Sequence, residues 1–337
     1  MLHPQRVAQW QRAHEANDWE LAKTQYPLYV EVSPVGACNH RCKMCAVDYI
    51  GYKSVLLDGA LLRVRLREMG ELGIKSVMFA GEGEPLLHRE INSLVVAATE
   101  KMDVSFTTNG VLLDKLEALD LCTWVKVSVN AGTRDTYAKV HRTKPEDWDR
   151  VWRNIEGAAK RKGACMIGVQ MVVLPENEDE QQSLLDRATD AGVDYLVFKP
   201  YSQHKKSITH EYEHFRPKPQ VKFSPIGGPQ VYWRDDAPSH EAPRYTKCHS
   251  TPNFWAYIMA SGDVYSCSAY LLDERFRLGN LNQQSFREVW EGDERRANWE
   301  FVRNQLDISE CRLNCRMHKS NEYLWDLAQG VEHGNFI

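Results

Sequence analysis

The chain has 337 residues, 43% of them hydrophobic and 26% charged, which suits one large folded domain or a large and a small one. Its formal net charge of -4 leaves no electrostatic footprint for nucleic acid or an anionic membrane. The opening stretch MLHPQRVAQWQRAHEANDWE has no apolar core of the secretory kind, and no later run approaches a membrane span, so a cytoplasmic location is expected.

Residues 1–28 read as a helical N-terminal extension. From 29 to 200, short β-rich runs alternate with amphipathic stretches. The runs are YVEVSP (29–34), SVMFAG (76–81), VSFTT (104–108), WVKVSVN (124–130), IGVQMVVL (167–174) and YLVFKP (195–200). Between them Leu62, Leu66 and Met69 recur at helical spacing, as do Val151, Ile155 and Ala158. Strands alternating with helices at this rhythm predict an α/β fold with a parallel sheet, and six such strands can close partway into a TIM-like barrel. Chemistry in that architecture sits at the C-terminal ends of the strands. There the sequence places Glu84, Asn109, Ser128, Asn130 and Lys199.

Residues 201–245 break the rhythm with basic residues, histidines, prolines and the Gly227-Gly228 pair, as either a solvated linker or a substrate-facing loop does. A small cysteine-bearing module of different texture occupies 246–318, and a helical tail follows over 319–337.

Nine cysteines in a chain without a secretory signal point to metal binding or catalysis before disulfides. Cys122 and Cys165 stand alone in apolar contexts and behave as small hydrophobes. Cys38, Cys42 and Cys45 form a C-x3-C-x2-C run directly after the first strand, with no fourth cysteine nearby. Three thiolates on one tight loop can ligate three irons of a cubane and leave the fourth iron open to a reacting ligand. Structural zinc is the competing reading, though it ordinarily uses two paired knuckles. Cys248, Cys267, Cys311 and Cys315 form a second set, complete for one fully ligated cluster and equally for a tetrahedral zinc.

The first cysteine set and the motifs after it resemble the radical S-adenosylmethionine (SAM) superfamily, over residues 29–200. The resemblance implies a partial (β/α)6 barrel with a catalytic [4Fe–4S] cluster on Cys38, Cys42 and Cys45. SAM would chelate the open iron, where one electron cleaves it to methionine and a 5′-deoxyadenosyl radical. An electron donor such as a flavodoxin or ferredoxin is implied with it. Gly81-Glu82-Gly83-Glu84-Pro85 looks like a variant of the family's GGEP motif, in which Gly83 lets backbone approach the ligand and Glu84 accepts from the SAM ammonium. Thr107-Thr108-Asn109-Gly110 ends the third strand as in many members, which puts Thr108 and Asn109 at the cofactor. Ser128 and Asn130 stand where relatives contact the carboxylate and ribose, and Arg142 suits a carboxylate through its rigid fork. Met44 replaces the usual aromatic and would meet the adenine through its main chain. Glu84 and Arg142 are expected to serve the cofactor and not folding.

The second set, with Gly262 four residues before Cys267, resembles the C-terminal SPASM/twitch extension in its shorter twitch form. That implies an auxiliary [4Fe–4S] cluster on four protein ligands, able to accept the second electron of a substrate radical. The function expected is therefore an oxidoreductase acting on a C–H bond of a polar small molecule, such as a sugar, aminocyclitol or nucleotide sugar. Gln170, Lys199, Tyr201, Gln203 and His204 offer donors for hydroxyls or phosphate near the barrel mouth, and Lys199 is alternatively a base for a carbinol radical. A peptide-modifying epimerase or maturase is the second reading. The residues before the first strand are too few for a leader-binding domain, and an epimerase would need Cys122 or Cys165 as its hydrogen-atom donor. A non-enzymatic iron–sulfur sensor would have no use for the Glu84, Ser128 and Arg142 set.

Overall fold

A computed structural model describes residues 3–202, 204–212, 214–221, 223–234, 243–312 and 315–330. Gln203 lies outside them. The six runs form strands β1 (Tyr29–Val32), β2 (Ser76–Phe79), β3 (Asp103–Thr108), β4 (Trp124–Ser128), β5 (Met166–Val173) and β6 (Tyr195–Pro200). Helices α1 (Pro4–Ala16) and α2 (Trp19–Lys23) precede them. Helices α3 (Gly59–Glu71), α4 (Ile91–Thr99), α5 (Arg134–His141), α6 (Glu146–Arg161) and α7 (Gln181–Asp190) fill the crossovers. The β3–β4 crossover uses two short 3-10 turns instead.

Side chains alternate between the two faces of a strand, and this divides the sheet cleanly. Val30, Val77, Phe79, Val104, Phe106, Val125, Val127, Ile167, Val169, Leu196 and Phe198 pack against the helices. Against them α3 buries Leu62, Leu66 and Met69, with Asp58 capping its first turn through the Leu61 N–H at 2.8 Å. α6 buries Val151, Trp152, Ile155 and Ala158. The intervening strand residues, among them Ser105, Lys126, Ser128, Gln170 and Lys199, face the lumen.

Two features depart from the sequence reading. A seventh strand, β7 (Gln230–Trp233), lies inside the segment read as linker or loop and pairs in parallel with β6. Its run of four residues between proline-glycine and charged stretches is too short to carry a periodic signal. At the opposite edge, β8 (Trp255–Ile258) pairs in parallel with β1. It turns at Gly262 (φ 87°) into β9 (Asp263–Tyr265), which pairs antiparallel with β10 (Arg277–Asn280). The result is one ten-stranded sheet in the order β10-β9-β8-β1-β2-β3-β4-β5-β6-β7. Helices α8 (Phe286–Glu291), α9 (Asp293–Asn304) and α10 (His318–Gln329) complete the C-terminal part. No helix among the described residues is long and apolar enough to cross a membrane.

Candidate active site

The loop leaving β1 carries Cys38, Cys42 and Cys45, all half-buried and free of disulfides. It is held from two sides. Arg41 N–H and Lys43 N–H donate to the carbonyls of His141 (3.1 Å) and Val140 (2.9 Å) on α5, and Glu84 N–H donates to the Ala37 carbonyl (2.9 Å). Burial and the neighbouring Glu84 push the Cys38 thiol up to about 11. Burial and then the other two thiols raise Cys42 well above the ordinary range. Thiols that resist ionisation in one another's company become thiolates together only around a cation, as an iron–sulfur cluster provides. The donor set therefore fits a cluster. His141 adds a second contact: its Nε2–H donates to the Val129 carbonyl (2.8 Å), which turns the Nδ1 lone pair toward Cys42 Sγ at 3.2 Å. Donor atoms of His40, Cys42 and His141 all lie within 4.8 Å of one another.

Gly83 packs directly beneath this loop. A Cβ there would meet the Val35 carbonyl oxygen at 2.3 Å and that of Ala37 at 2.4 Å, so the cysteine loop itself requires the glycine. Glu84, 2% exposed, accepts from the Thr108 hydroxyl (2.7 Å) and Leu86 N–H (3.1 Å) on Oε1, and from Asn109 N–H (2.8 Å) on Oε2. Its carboxylate thus ties the turn after β2 to the end of β3, and the expectation that Glu84 has no part in folding is corrected. Asn109 continues the chain of contacts, its Nδ2 donating to Asn39 Oδ1 at 2.6 Å. A carboxylate offers about four acceptor positions, so one on Glu84 stays available to a ligand.

Asn130 is also engaged. In a left-handed conformation (φ 54°), its Oδ1 accepts from Val172 N–H (2.8 Å) and its carbonyl from Asn177 Nδ2 (2.8 Å). Ser128 sits beside Gln170 in register, half-buried in the lumen. Arg142 is exposed at the C-cap of α5 and makes no side-chain hydrogen bond among the described residues. The Met44 side chain packs with Val140, Val172, Leu174 and Tyr212, which leaves only its main chain for a ligand.

Among the polar atoms in this region buried without a hydrogen-bond partner among the described residues are Gln170 Oε1, Glu82 Oε2 and the Tyr49 hydroxyl. Orphaned buried groups are costly in a folded protein and mark where a polar ligand belongs. Glu82 occupies the variant position of the glycine motif, and its Oε1 accepts from Ala260 N–H on the far side of β8 (3.0 Å). Burial pushes its carboxyl up from 4.5 to about 7. The folded state therefore holds this proton more tightly than the unfolded chain, and stability falls as pH rises from 4.5 to 7. Glu82→Gln is expected to remove that part of the slope, gaining about 3 kcal/mol on the native protein between pH 4.5 and pH 8. Denaturant unfolding at several pH values checks it, and parallel curves for the two proteins refute it.

The first residues beyond β6 pack on the cysteine loop. The Tyr201 hydroxyl lies 3.4 Å from Ser207 Oγ, and Ser207 reaches the Cys45 carbonyl (3.2 Å) and Asp48 (3.1 Å). His204 stacks on Tyr49 with centroids 4.8 Å apart. Its Nε2–H donates to the Ala269 carbonyl (3.0 Å) and its Nδ1 accepts from Lys206 N–H (3.0 Å). Both ring nitrogens are occupied, so His204 is corrected from a substrate donor to a strut between this segment and the C-terminal module.

Cys248, Cys267, Cys311 and Cys315 converge there. Burial raises Cys267 well above the ordinary thiol range, and the charges of Cys315, Cys248 and Cys311 each add to the rise. Asn321 Nδ2 donates to Cys248 Sγ at 3.5 Å. Four such thiols without disulfides fit one fully ligated metal centre. Val47, Tyr49 and Ile50, just beyond Cys45, belong to the same apolar cluster as Cys248, Cys267 and Cys311. Cys122 and Cys165 stand just before β4 and β5, at the opposite end of the barrel and 3% and 1% exposed. No hydrogen-atom donor for an epimerase can come from them.

Sequence reasoning missed Glu82, Tyr49, His141 and the lumen-facing Lys126. Lys126 was readable: it lies two residues before Ser128 in the same strand, on the same face. The others come together only through tertiary contacts.

Comparison with known proteins agrees with this geometry. Two families match by sequence, the Radical SAM superfamily over residues 32–188 and the SPASM iron-sulfur cluster-binding domain over residues 248–316. The GTP 3',8-cyclase of Trichodesmium erythraeum is 30% identical over 166 residues, 45% of this chain and 50% of that protein. That of Crocosphaera subtropica is 28% identical over 221 residues, 60% and 57% of the two chains. The chain thus spans about half the length of the curated relatives it matches. Among solved structures, Streptococcus suis SuiB bound to the precursor peptide SuiA superposes with a TM-score of 0.63 at 17% identity, over 84% of this chain and 68% of that one. Native anSMEcpe with bound AdoMet gives 0.57 at 17% identity, over 90% and 96%. At these identities the likeness is one of fold.

Proposed function

Starting from a chain that carries a radical SAM domain and, behind it, a SPASM iron–sulfur domain, we propose that this protein uses SAM to remove a hydrogen atom from a polar small molecule held in the barrel lumen. When bound, the cluster and SAM supply the electron and the radical that begin such a reaction. The observation that carries the proposal is the apolar cluster in which Val47, Tyr49 and Ile50, just beyond Cys45, stand with Cys248, Cys267 and Cys311 of the four-thiol module.

Cys38, Cys42 and Cys45 hold the catalytic cluster in this reading. Glu84 presents its remaining acceptor position to the SAM ammonium, while Thr108 and Asn109 hold that carboxylate in place. Ser128 and Arg142 face the cofactor carboxylate and ribose, and Asn130 sets the backbone from which Ser128 projects. Gln170 Oε1 takes a donor from substrate or cofactor, as its buried and unpartnered state requires. The Tyr201 and Ser207 hydroxyls keep the segment after β6 closed over the cysteine loop and exclude water from the chamber. Cys248, Cys267, Cys311 and Cys315 hold a second [4Fe–4S] cluster, which suits a net oxidation.

The activity of the sequence relatives, GTP 3',8-cyclase, favours a nucleotide-like small molecule over a peptide. The deep position of Cys122 and Cys165 also disfavours an epimerase. The test is anaerobic turnover of reconstituted, dithionite-reduced protein with SAM and deuterated candidate substrates. Formation of 5′-deoxyadenosine carrying deuterium from one candidate identifies the substrate. Fully iron-loaded protein that forms no 5′-deoxyadenosine under any condition overturns the proposal.

The auxiliary set has its own expected outcome. Cys311→Ala is expected to lose about four of the roughly eight irons of the reconstituted protein while retaining 5′-deoxyadenosine formation. Iron and zinc analysis of the folded variant checks it, and about four irons plus one zinc in the native protein would assign the module to zinc.

A further inference from the structure

Two lysines point into the lumen from separate strands, and the C-terminal module brings a third cation near them. On β4, Val125 and Val127 pack against the helices, so Lys126 between them faces inward. On β6, Leu196 and Phe198 do the same, and Lys199 faces inward one position beyond. The third is Arg312, delivered by the C-terminal module from between Cys311 and Cys315. Its charge is felt at Tyr49, Tyr201, His204 and Lys199. Arg234, whose N–H donates to the Phe198 carbonyl at 2.9 Å, follows β7 beside Lys199.

Among the described residues no carboxylate pairs with Lys126, Lys199 or Arg312; Lys126 rests only over the Trp124 ring, 5.7 Å from its centroid. Like charges gathered in a chamber of low dielectric cost several kcal/mol each unless an anion joins them. Burial and Arg234 push the Lys126 ammonium down to about 8, and burial with Lys126, Arg234 and Arg312 holds Lys199 well below the ordinary lysine range.

We propose that Lys126, Lys199 and Arg312 bind a phosphate group of the substrate, which makes the substrate class a phosphorylated small molecule. The inference rests on the lumen being the substrate chamber, as argued above. It assigns Lys199 to anion binding in place of the alternative role as base, because Lys126, Lys199 and Arg312 have no carboxylate partner among the described residues. Arginine and lysine together on a multiply charged phosphate give the short, charge-assisted bonds that the isolated cations lack.

The test uses the reconstituted full-length protein, inorganic pyrophosphate as the probe, and saturating SAM to fill the cofactor carboxylate site. Calorimetry should detect pyrophosphate binding, at least tenfold weaker in Lys126→Gln and in Lys199→Gln and undetectable in the double variant. Lys160→Gln, on the exposed face of α6, should bind as the native protein does. Pyrophosphate should also raise the melting temperature of the native protein and not that of the double variant, a readout that a misfolded variant cannot mimic. Native protein that ignores pyrophosphate, a double variant that binds it equally, or succinate competing as well as pyrophosphate each overturns the phosphate assignment. SAM cleavage to 5′-deoxyadenosine without substrate is measured on the same samples. Cleavage without pyrophosphate binding sinks this inference alone, whereas pyrophosphate binding without cleavage sinks the radical reading alone.

Discussion

Replacing Cys38, Cys42 and Cys45 together by alanine is expected to halve the iron of the reconstituted protein, from about eight to about four atoms, and to abolish reductive cleavage of SAM. The loss should be complete because no other thiol is placed to substitute. Cys122 and Cys165 stand at the far end of the barrel, and the remaining four converge on the C-terminal module. The fold should survive the change, since the loop is anchored by backbone bonds from Arg41, Lys43 and Glu84 that no cysteine side chain makes. Circular dichroism establishes that survival first. A folded variant that keeps its full iron, or still yields 5′-deoxyadenosine, would show that these cysteines do not carry the catalytic cluster.

Glu84→Gln is expected to have two effects. It should weaken SAM binding by about 1.5–3 kcal/mol, the scale of a lost hydrogen bond to a charged group. It should also lower unfolding stability by about 3 kcal/mol, because a neutral amide cannot accept from the Thr108 hydroxyl and the Asn109 and Leu86 N–H groups as the carboxylate does. Arg142→Ala is the contrast: exposed and without a side-chain hydrogen bond, it should change SAM affinity and leave the melting temperature where it was. Equilibrium unfolding and calorimetric SAM titration on the three proteins separate the cases. Unchanged stability in Glu84→Gln would mean that the carboxylate does not hold the two turns together, and unchanged SAM affinity would confine it to that structural role.

How far the sequence could be read depended on how local each signal was. The cysteine sets were legible because ligand spacing within one loop is a local property, as were the six barrel strands with their alternating apolar faces. Helices α3 and α6 were legible through Leu62, Leu66 and Met69, and through Val151, Ile155 and Ala158. The four-residue β7 carried too little pattern to be seen. Glu82 stood in plain view as an oddity of its motif, but its partner Ala260 lies 178 positions away. Gly83 and Glu84 were recognised as important, yet the reason for each changed. Gly83 makes room for the Val35 and Ala37 carbonyls, and Glu84 ties two strand ends together. Such roles depend on which loops meet in space, which no spacing along the chain records.

The pairing of Tyr29 with Trp255 has a bearing on how the molecule is made. The strand that launches the cysteine loop is among the first parts of the barrel to leave the ribosome, while the strand that covers its outer edge is among the last. Until then β1 presents a row of unsatisfied amides and carbonyls beside Val30 and Val32, the kind of edge on which chains aggregate. Deleting everything after residue 245 would leave that edge open permanently. The C-terminal module is thus the seam that closes the sheet, and a shortened barrel bearing all three cluster cysteines should be hard to keep in solution.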